Sequence, residues 1–391
     1  LRQVLEQEQV EAVAVNLLFS FLAPGEEQKI ADSLGEGMFV SLSSRVLPEV
    51  REFERGIATW LDASVGPVIS KYLARLAKRI PRARIAVMQS SGTTIAAGQA
   101  ASQAARLLLS GPAGGLSAAL LAGRVAGHQR LLTFDMGGTS TDVSLLDGEI
   151  PVSSENRIGD WPLTISSVDI HTIGAGGGSI ARVDRGGMLL VGPESAGAHP
   201  GPACYGQGGE SVTVTDANLV LGRIPGDTLL GAYLPLDVEA AARAMDRLGR
   251  QLGCSRLAAA NGVVRLANEH MARALRTMSI ERGHDPRDYT LLSFGGAGGL
   301  HACELADLLE ISRVLLPARA GVLSAQGMLS SEPGRALSRA VLRNIDGIGD
   351  DELEALFGEL ESDAAIKLAQ EGVGAEEIRY QRRLELRYQG P

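Results

Sequence analysis

The sequence predicts an α/β protein, and three observations lead to that class. Through the first ninety residues, short apolar stretches of strand length alternate with longer segments of helical periodicity, an order typical of an α/β sheet. The hydrophobic fraction is 45% and the charged fraction 21%, as in ordinary globular proteins. The 48 glycines gather in short clusters, as expected where the backbone turns sharply or approaches a ligand.

The N-terminal third is expected to hold short strands and longer helices. Strands are predicted at residues 12–18, 38–42 and 84–89, and helices at 24–33 and 52–79. The Gly66-Pro67 pair is expected to break the second helix. Residues 90–127 predict two helices of small residues separated by a turn at 110–115. That turn either brings backbone donors close to a nucleotide or simply starts a helix.

From residue 130 onward the pattern changes. Two strands, 130–135 and 142–146, are predicted on either side of a tight glycine turn, and residues 150–215 read as a loop-rich region. Helices follow at 238–252 and 255–282, then a strand at 289–294, a helix to about 310, and a strand at 313–316. An acidic helix at 350–370 and a strand at 379–388 end the chain. The long helix carries a stripe expected to be core: Val264, Leu266, Met271, Leu275 and Met278.

Composition excludes several classes of protein. The net charge of -9 argues against a nucleic-acid surface or an anionic membrane, and an aromatic content of 4% argues against stacking platforms. The apolar stretch 10–22 is too short to span a bilayer. Three scattered cysteines indicate neither a disulfide framework nor a zinc knuckle. With no signal peptide at the start, we expect a cytoplasmic enzyme. A first residue other than Met suggests a piece of a longer protein.

Familiar nucleotide motifs are missing. The chain has four lysines, Lys29, Lys71, Lys78 and Lys367, and none neighbours a glycine turn. This excludes a P-loop and a protein kinase, which both need a lysine on the phosphates. No complete G-x-G-x-x-G follows a strand, and G-x-S-x-G and H-E-x-x-H are also absent from the sequence.

A strand–turn–strand segment at residues 135–142, with the sequence DMGGTSTD, is the main candidate for chemistry. Glycines let backbone N–H groups converge on a phosphate, and the hydroxyls add donors. Asp135 ends a buried strand and is placed to hold Mg²⁺ through water. The alternative is a plain hairpin with a solvated Asp at each end. The predicted phosphate ligands are Gly137, Gly138, Thr139, Ser140 and Thr141, together with Asp135.

A second glycine cluster, at residues 294–301 (FGGAGGLH), lies between a predicted strand and a predicted helix. Such a turn can seat a nucleotide against backbone N–H groups and the helix dipole. On its own this signal is weak, and His301 is interpreted as a polar residue in the first helical turn.

Four motifs, taken in their order and spacing along the chain, resemble those of a known protein family. They are residues 135–142, 171–179 (HTIGAGGGS), 200–206 (PGPACYG) and 294–301. Together they resemble the hydantoinase A/5-oxoprolinase family, which includes the acetone carboxylase β subunit and is similar in fold to the actin-like ATPases. The resemblance covers the chain from about residue 10. It implies an actin-like ATPase (ribonuclease H-like) fold, mostly the second lobe with part of the first. It assigns residues 135–142 to the second-lobe phosphate hairpin, and the adenosine segment to Gly295, Gly296, Ala297 and Gly298.

The resemblance also sets the expected organisation. Residues 1–128 would be the remainder of the first lobe, 129–345 the nucleotide-binding second lobe with a substrate-side insert at 150–215, and 346–391 an acidic helix and the start of a C-terminal region. Members of the family carry an earlier Asp-x-Gly-Gly-Thr hairpin and a further β-rich portion, so this chain is expected to be a fragment lacking both. His199 stands where the family usually has Asp before Pro-Gly-Pro.

The region 167–206 is the candidate substrate side. Asp169 and His171 alternate on a predicted strand at 168–173, so both side chains reach one face. A carboxylate and an imidazole there suit an acid–base pair or a second divalent metal, with His199 as a third ligand. The alternative is a single ion pair that orients the loop at 174–178. Cys204 is interpreted as a packing residue rather than a nucleophile.

The expected activity is ATP-dependent ring opening of a hydantoin or 5-oxoproline, as the resemblance implies, with a hydantoinase B-type subunit as partner. Phosphorylating the carbonyl oxygen would activate an otherwise unreactive amide, with ATP and Mg²⁺ required. Asp135, Asp142, Asp169 and His171 are the candidate catalytic residues. Two alternatives stay open: a carboxylase-like subunit that activates a ketone and bicarbonate, and a non-catalytic actin-like nucleotide switch.

Overall fold

The computed structural model describes residues 2–388 except 36, 155, 159, 160 and 232. Its helices, in chain order, are α1 Arg2–Gln7, α2 Pro24–Leu34, α3 Ser43–Val46, α4 Glu52–Arg79, α5 Ala97–Ala100, α6 Ser110–Val125, α7 Val214–Val220, α8 Val238–Leu252, α9 Arg256–Met278, α10 Ala302–Leu308, α11 Leu323–Ser330 and α12 Asp350–Ala369. Its strands are β1 Ala12–Val15, β2 Phe39–Leu42, β3 Ala86–Met88, β4 Thr94–Ala96, β5 Arg130–Met136, β6 Thr141–Asp147, β7 Val152–Ser153, β8 Asn156–Ile158, β9 Trp161–Leu163, β10 Ser167–Val168, β11 His171–Ile173, β12 Ser179–Val183, β13 Leu189–Ser195, β14 Val212–Thr213, β15 Leu229–Leu230, β16 Leu234–Pro235, β17 Thr290–Phe294 and β18 Val314–Leu315.

The chain forms two compact units. The first comprises residues 1–113, 152–168 and 331–391, and the second comprises 114–151 and 169–330. Helices and strands alternate in both, as the sequence predicts for an α/β protein. Residues 155, 159 and 160 of the expected insert at 150–215 lie outside the described residues, as do the last three residues of the chain.

The first unit is built around α4. The parallel strands β1 and β2 pack against this helix, and β3 pairs antiparallel with β4. The expected break at Gly66-Pro67 is wrong, because α4 continues through Pro67. Gly66 instead gives room to β2: a Cβ there would lie 2.2 Å from the ring of Phe39.

The second unit holds a five-stranded sheet in the order β11-β6-β5-β17-β18. Strands β11, β6 and β5 are antiparallel, and β5, β17 and β18 are parallel. An extensive hydrophobic core lies between this sheet and α9. Four of the five predicted stripe residues of α9 are fully buried, and the fifth, Leu266, packs against the core.

Three other expectations about secondary structure are wrong. Residues 110–115 form the first turns of α6 rather than a turn between helices, so of the two alternatives the simple helix start is confirmed. Pro112 is tolerated there because the first helical N–H groups have no partner within the helix. The predicted strand 168–173 is split into β10 and β11, which pair with different strands. Residues 379–388 form neither helix nor strand.

Within the described residues, no helix is both long enough and apolar enough to cross a membrane.

Candidate functional site

The hairpin β5–β6 forms as predicted and places two carboxylates face to face. Asp135 and Asp142 are directly paired across the two strands. The turn beyond them is closed by a hydrogen bond from Gly137 N–H to Ser140 C=O (3.0 Å). Gly138 and Thr139, at the tip, are exposed. The backbone and hydroxyl groups of this tip are therefore accessible to a ligand.

Both facing carboxylates have a raised pKa. Burial, together with the charge of Asp142, raises the pKa of Asp135 to about 6. Burial also raises the pKa of Asp142, although a hydrogen bond from Thr172 Oγ1 (2.6 Å) acts in the opposite direction. Within the described part of the chain, neither carboxylate has an arginine or lysine partner. Like charges directly opposite each other in a sheet are destabilising, so the pair favours a cation or a proton between them.

A glycine loop supports the turn from one side. The N–H groups of Gly177 and Gly178 donate to the carbonyls of Gly137 (3.0 Å) and Gly138 (2.7 Å). A Cβ on Gly176 would lie 2.7 Å from the amide nitrogen of Thr139. Only glycine allows two backbones this close, so the motif 171–179 has a structural reason for its composition.

One predicted phosphate ligand has a different role. Thr141 is fully buried, and its hydroxyl donates to the carbonyl of Ala175 (2.5 Å). It therefore fixes the glycine loop to the hairpin. Thr139 and Ser140, which lie at the turn itself, remain the candidate hydroxyl donors.

The structure brings the second glycine cluster to the same hairpin. Ala297 N–H donates to the carbonyl of Met136 (3.0 Å). Gly295 has a φ of +83°, and a Cβ there would lie 2.3 Å from Asp135 Oδ1. Gly296 has open space around it, and Gly298 is buried at the start of a 3₁₀ turn over Ser293. Two segments that are 160 residues apart in sequence thus meet at the carboxylate of Asp135.

The three residues considered for a second metal have separate surroundings in the structure. Asp169 makes an ion pair with Arg282. His171 lies on β11 opposite Val143 of β6. His199 is exposed, and its Nδ1 lies 3.5 Å from Gln207 Oε1. Among the described residues, no group of three His, Cys, Asp or Glu side chains is arranged to hold a metal ion. Asp169 does form an ion pair, but its partner is Arg282, which sequence reasoning did not name.

The motif 200–206 is held by a buried carboxylate that sequence reasoning missed. Asp216 accepts hydrogen bonds from the backbone N–H groups of Cys204 (2.8 Å) and Thr213 (2.8 Å). It also completes a capping box with Thr213 at the start of α7, and that T-x-x-D spacing was the available signal. Cys204 is fully buried, and burial with the nearby Asp216 raises the pKa of its thiol. Its interpretation as a packing residue fits this environment.

His301 is more than a polar residue in a helical turn. It is fully buried between Asn268, 2.6 Å from its Nδ1, and Asn218, 3.3 Å from its Nε2. Burial, with the charge of Arg223, lowers the pKa of the imidazole to about 4. No local sequence signal connects these residues, because Asn218 lies on α7, Asn268 on α9, and His301 directly before α10.

Solved structures identify the fold. The ATP-dependent caprolactamase from Pseudomonas jessenii matches with a TM-score of 0.82 and 33% identity over 96% of this chain and 56% of that one. Nucleotide-free acetone carboxylase matches with a TM-score of 0.78 and 27% identity over the same shares. The chain therefore has an α/β fold of the actin-like ATPase type, as expected from the four motifs.

The chain belongs to the hydantoinase/oxoprolinase family, whose sequence model matches residues 55–335. The caprolactamase subunit alpha of Pseudomonas jessenii is 35% identical over 98% of this chain and 57% of that protein. The 5-oxoprolinase 1 of Arabidopsis thaliana is 35% identical over 97% of this chain and 32% of that protein. The chain thus spans between a third and three fifths of the length of these relatives.

Proposed function

We propose that this chain is the nucleotide-binding part of an ATP-dependent amidohydrolase that phosphorylates and opens a cyclic amide or imide. One observation carries the proposal: Asp135 and Asp142 face each other, half buried, below an exposed glycine turn. The names of the relatives, caprolactamase and 5-oxoprolinase, support a ring amide as substrate. Within that class we favour a hydantoin or 5-oxoproline.

The residues of the hairpin fit a magnesium ion. Carboxylate oxygens are the hard ligands that Mg²⁺ prefers, and it usually takes one or two of them and several waters. Asp135 would hold the ion, and a bound ion would neutralise charge on the phosphates of ATP. The uncompensated charge of the two facing carboxylates supports this assignment.

The turn and the second glycine segment have separate tasks in the proposed reaction. Backbone N–H groups at Gly138 and Thr139, with the hydroxyls of Thr139 and Ser140, would bind the transferred phosphoryl group by positioned dipoles. The segment from Gly295 to Gly298 would receive the adenosine. Asp142, fixed by Thr172, would hold the hairpin in shape or orient the attacking group.

The chemistry follows from the low reactivity of amides. The carbonyl oxygen attacks the γ-phosphorus of ATP, the bond to the β-phosphate oxygen breaks, and ADP leaves. Water then attacks the activated carbon, and the ring C–N bond breaks with a proton passing to nitrogen, which leaves an acyl phosphate. A second water attacks the same carbon, the C–O bond to phosphate breaks, and a carboxylate and inorganic phosphate result. We further propose that a hydantoinase B-type subunit completes the hydrolysis, since a related caprolactamase is named as one subunit.

A substrate screen tests the proposal. Mg·ATP-dependent phosphate release would be measured with hydantoin, 5-oxoproline, caprolactam, and acetone with bicarbonate, on the protein in its natural length and assembly. We expect one ring amide to stimulate release and Asp135→Asn to lower it by about 100-fold or more. Asp147→Asn is the matched control, because Asp147 is exposed at the opposite end of the same two strands.

The outcomes separate three functions. Stimulation by acetone with bicarbonate would favour a carboxylase subunit, a second candidate supported by the structural match to acetone carboxylase. Nucleotide binding without stimulation by any substrate would favour the non-catalytic switch. Substitution of His171 or Asp169 is a second test that distinguishes an enzyme from a nucleotide switch. Loss of turnover with retained nucleotide binding is expected only of an enzyme.

A further inference from the structure

A buried polar network lies directly behind the second glycine cluster. His301, Asn218 and Asn268 are each at most 1% exposed. Asn268 Nδ2 donates to Glu304, which forms an ion pair with Arg223. These groups lie on α7, α9 and α10, in the loop after α7, and at His301 directly before α10; none of them belongs to the hairpin β5–β6.

The hydrogen bonds fix the protonation of His301. Asn268 Nδ2 donates to Glu304, so its Oδ1 is the atom that faces His301 Nδ1, and that imidazole nitrogen must carry the proton. Asn218 Nδ2 donates to the carbonyl of Val214 (3.1 Å), so the same amino group donates to His301 Nε2. The imidazole is therefore neutral, with a donor on one side and an acceptor on the other.

Hydrogen bonds from the same network also hold the turn that precedes His301. The residues from Gly298 to Leu300 form a 3₁₀ turn, and His301 N–H donates to the Gly298 carbonyl (3.1 Å). Arg223 Nη1 donates to the carbonyl of Leu300 (3.4 Å) while its ion pair holds it against Glu304. At the other end of the segment, Ala297 is bonded to Met136. The glycine segment is thus anchored on both sides.

We propose that His301 is a positioning residue for nucleotide binding: it locks the segment from Gly295 to Gly298 onto α7 and α9, so that the backbone of that segment is preformed for the adenosine part of the nucleotide. This inference rests on the proposed nucleotide-binding function. It adds a selective prediction, because the phosphate turn has its own support from Gly177 and Gly178. Loss of His301 affects adenosine recognition and leaves phosphate recognition intact.

Two probes separate these contributions. Dissociation constants for Mg·ATP and for Mg·tripolyphosphate, which lacks adenosine, would be measured by calorimetry on the protein in its natural length and assembly. His301→Leu removes both hydrogen bonds and is expected to weaken Mg·ATP about tenfold while changing Mg·tripolyphosphate less than about twofold. His301→Gln keeps a donor and an acceptor and is expected to recover most of the affinity. His270→Leu, at an exposed position of α9, is the control.

Arg223→Met provides a second test at a partly exposed site, and it serves if His301→Leu does not fold. It removes the hydrogen bond to Leu300 and is expected to show the same selective loss for Mg·ATP. Equal weakening of both probes, or unchanged binding of both, would overturn the positioning role. The wild-type protein decides the proposed function separately: if it binds neither probe, that function fails and the inference fails with it.

Discussion

The contact between Gly295 and Asp135 allows a sharp test by a single methyl group. In Gly295→Ala the new Cβ would lie 2.3 Å from Asp135 Oδ1 and 2.4 Å from the Met136 carbonyl oxygen, at a φ of +83°. Ordinary contact begins at 3.4 Å, so the carboxylate must move by about 1 Å (3.4 minus 2.3). The positive φ adds about 1–2 kcal/mol of strain for alanine. A shift of that size in a positioning group costs about 100-fold in rate.

The assays are substrate-stimulated phosphate release, calorimetry with Mg·ATP, and thermal unfolding. Gly295→Ala is expected to lose about 100-fold in turnover and about 1–3 kcal/mol in the free energy of unfolding. Gly127→Ala is the control, because its φ of +77° is also positive but a Cβ there has no neighbour within 4 Å. We expect the control to stay within about twofold of the wild-type activity. Equal behaviour of the two variants would refute the close approach of Gly295 to Asp135.

Three further predictions follow from the ionisation of buried groups. Because the pKa of Asp135 is raised to about 6, the affinity for Mg·ATP measured by calorimetry should be full near neutral pH and fall as the pH drops through about 6. The metal-free protein should show the opposite trend in its free energy of unfolding, which should decrease as the pH rises through that value, because the folded state favours the protonated carboxyl. Thr172→Val removes the hydrogen bond that lowers the pKa of Asp142, so the acidic limb of the pH–rate profile should move to higher pH; an unmoved limb would contradict this. Cys204→Ala should keep activity within about twofold of the wild type. In the wild-type protein, iodoacetamide should modify the exposed Cys254 before the buried Cys204, as peptide mass mapping can show.

The part of the site that is built from residues close together in the sequence could be predicted. The hairpin from Asp135 to Asp142 could be predicted because strand patterning, a glycine turn and paired carboxylates all lie within one short segment. The stripe of α9 could be predicted for the same reason, since helical periodicity is a local property.

What could not be predicted are contacts between distant segments. Asp169 is paired with Arg282, 113 residues further along the chain, and spacing alone placed Asp169 beside His171 instead. The sequence predicts the region 167–206, which contains the glycine loop at 174–178, as the substrate side, whereas the N–H groups of that loop donate to the carbonyls of the hairpin turn. The packing of β2 against Gly66 likewise shows why a Gly-Pro pair can remain inside a helix when tertiary contacts favour it.

The most direct measurement follows the oxygen atom of the substrate carbonyl. A ring amide that stimulates phosphate release would be labelled with ¹⁸O at that carbonyl and turned over with unlabelled Mg·ATP in unlabelled water. Phosphorylation of the carbonyl oxygen predicts that the label appears in inorganic phosphate, and that Asp135→Asn abolishes both label transfer and turnover. If all of the label stays in the ring-opened product, phosphate is not displaced from the carbonyl carbon together with the amide oxygen, and the proposed reaction sequence is wrong.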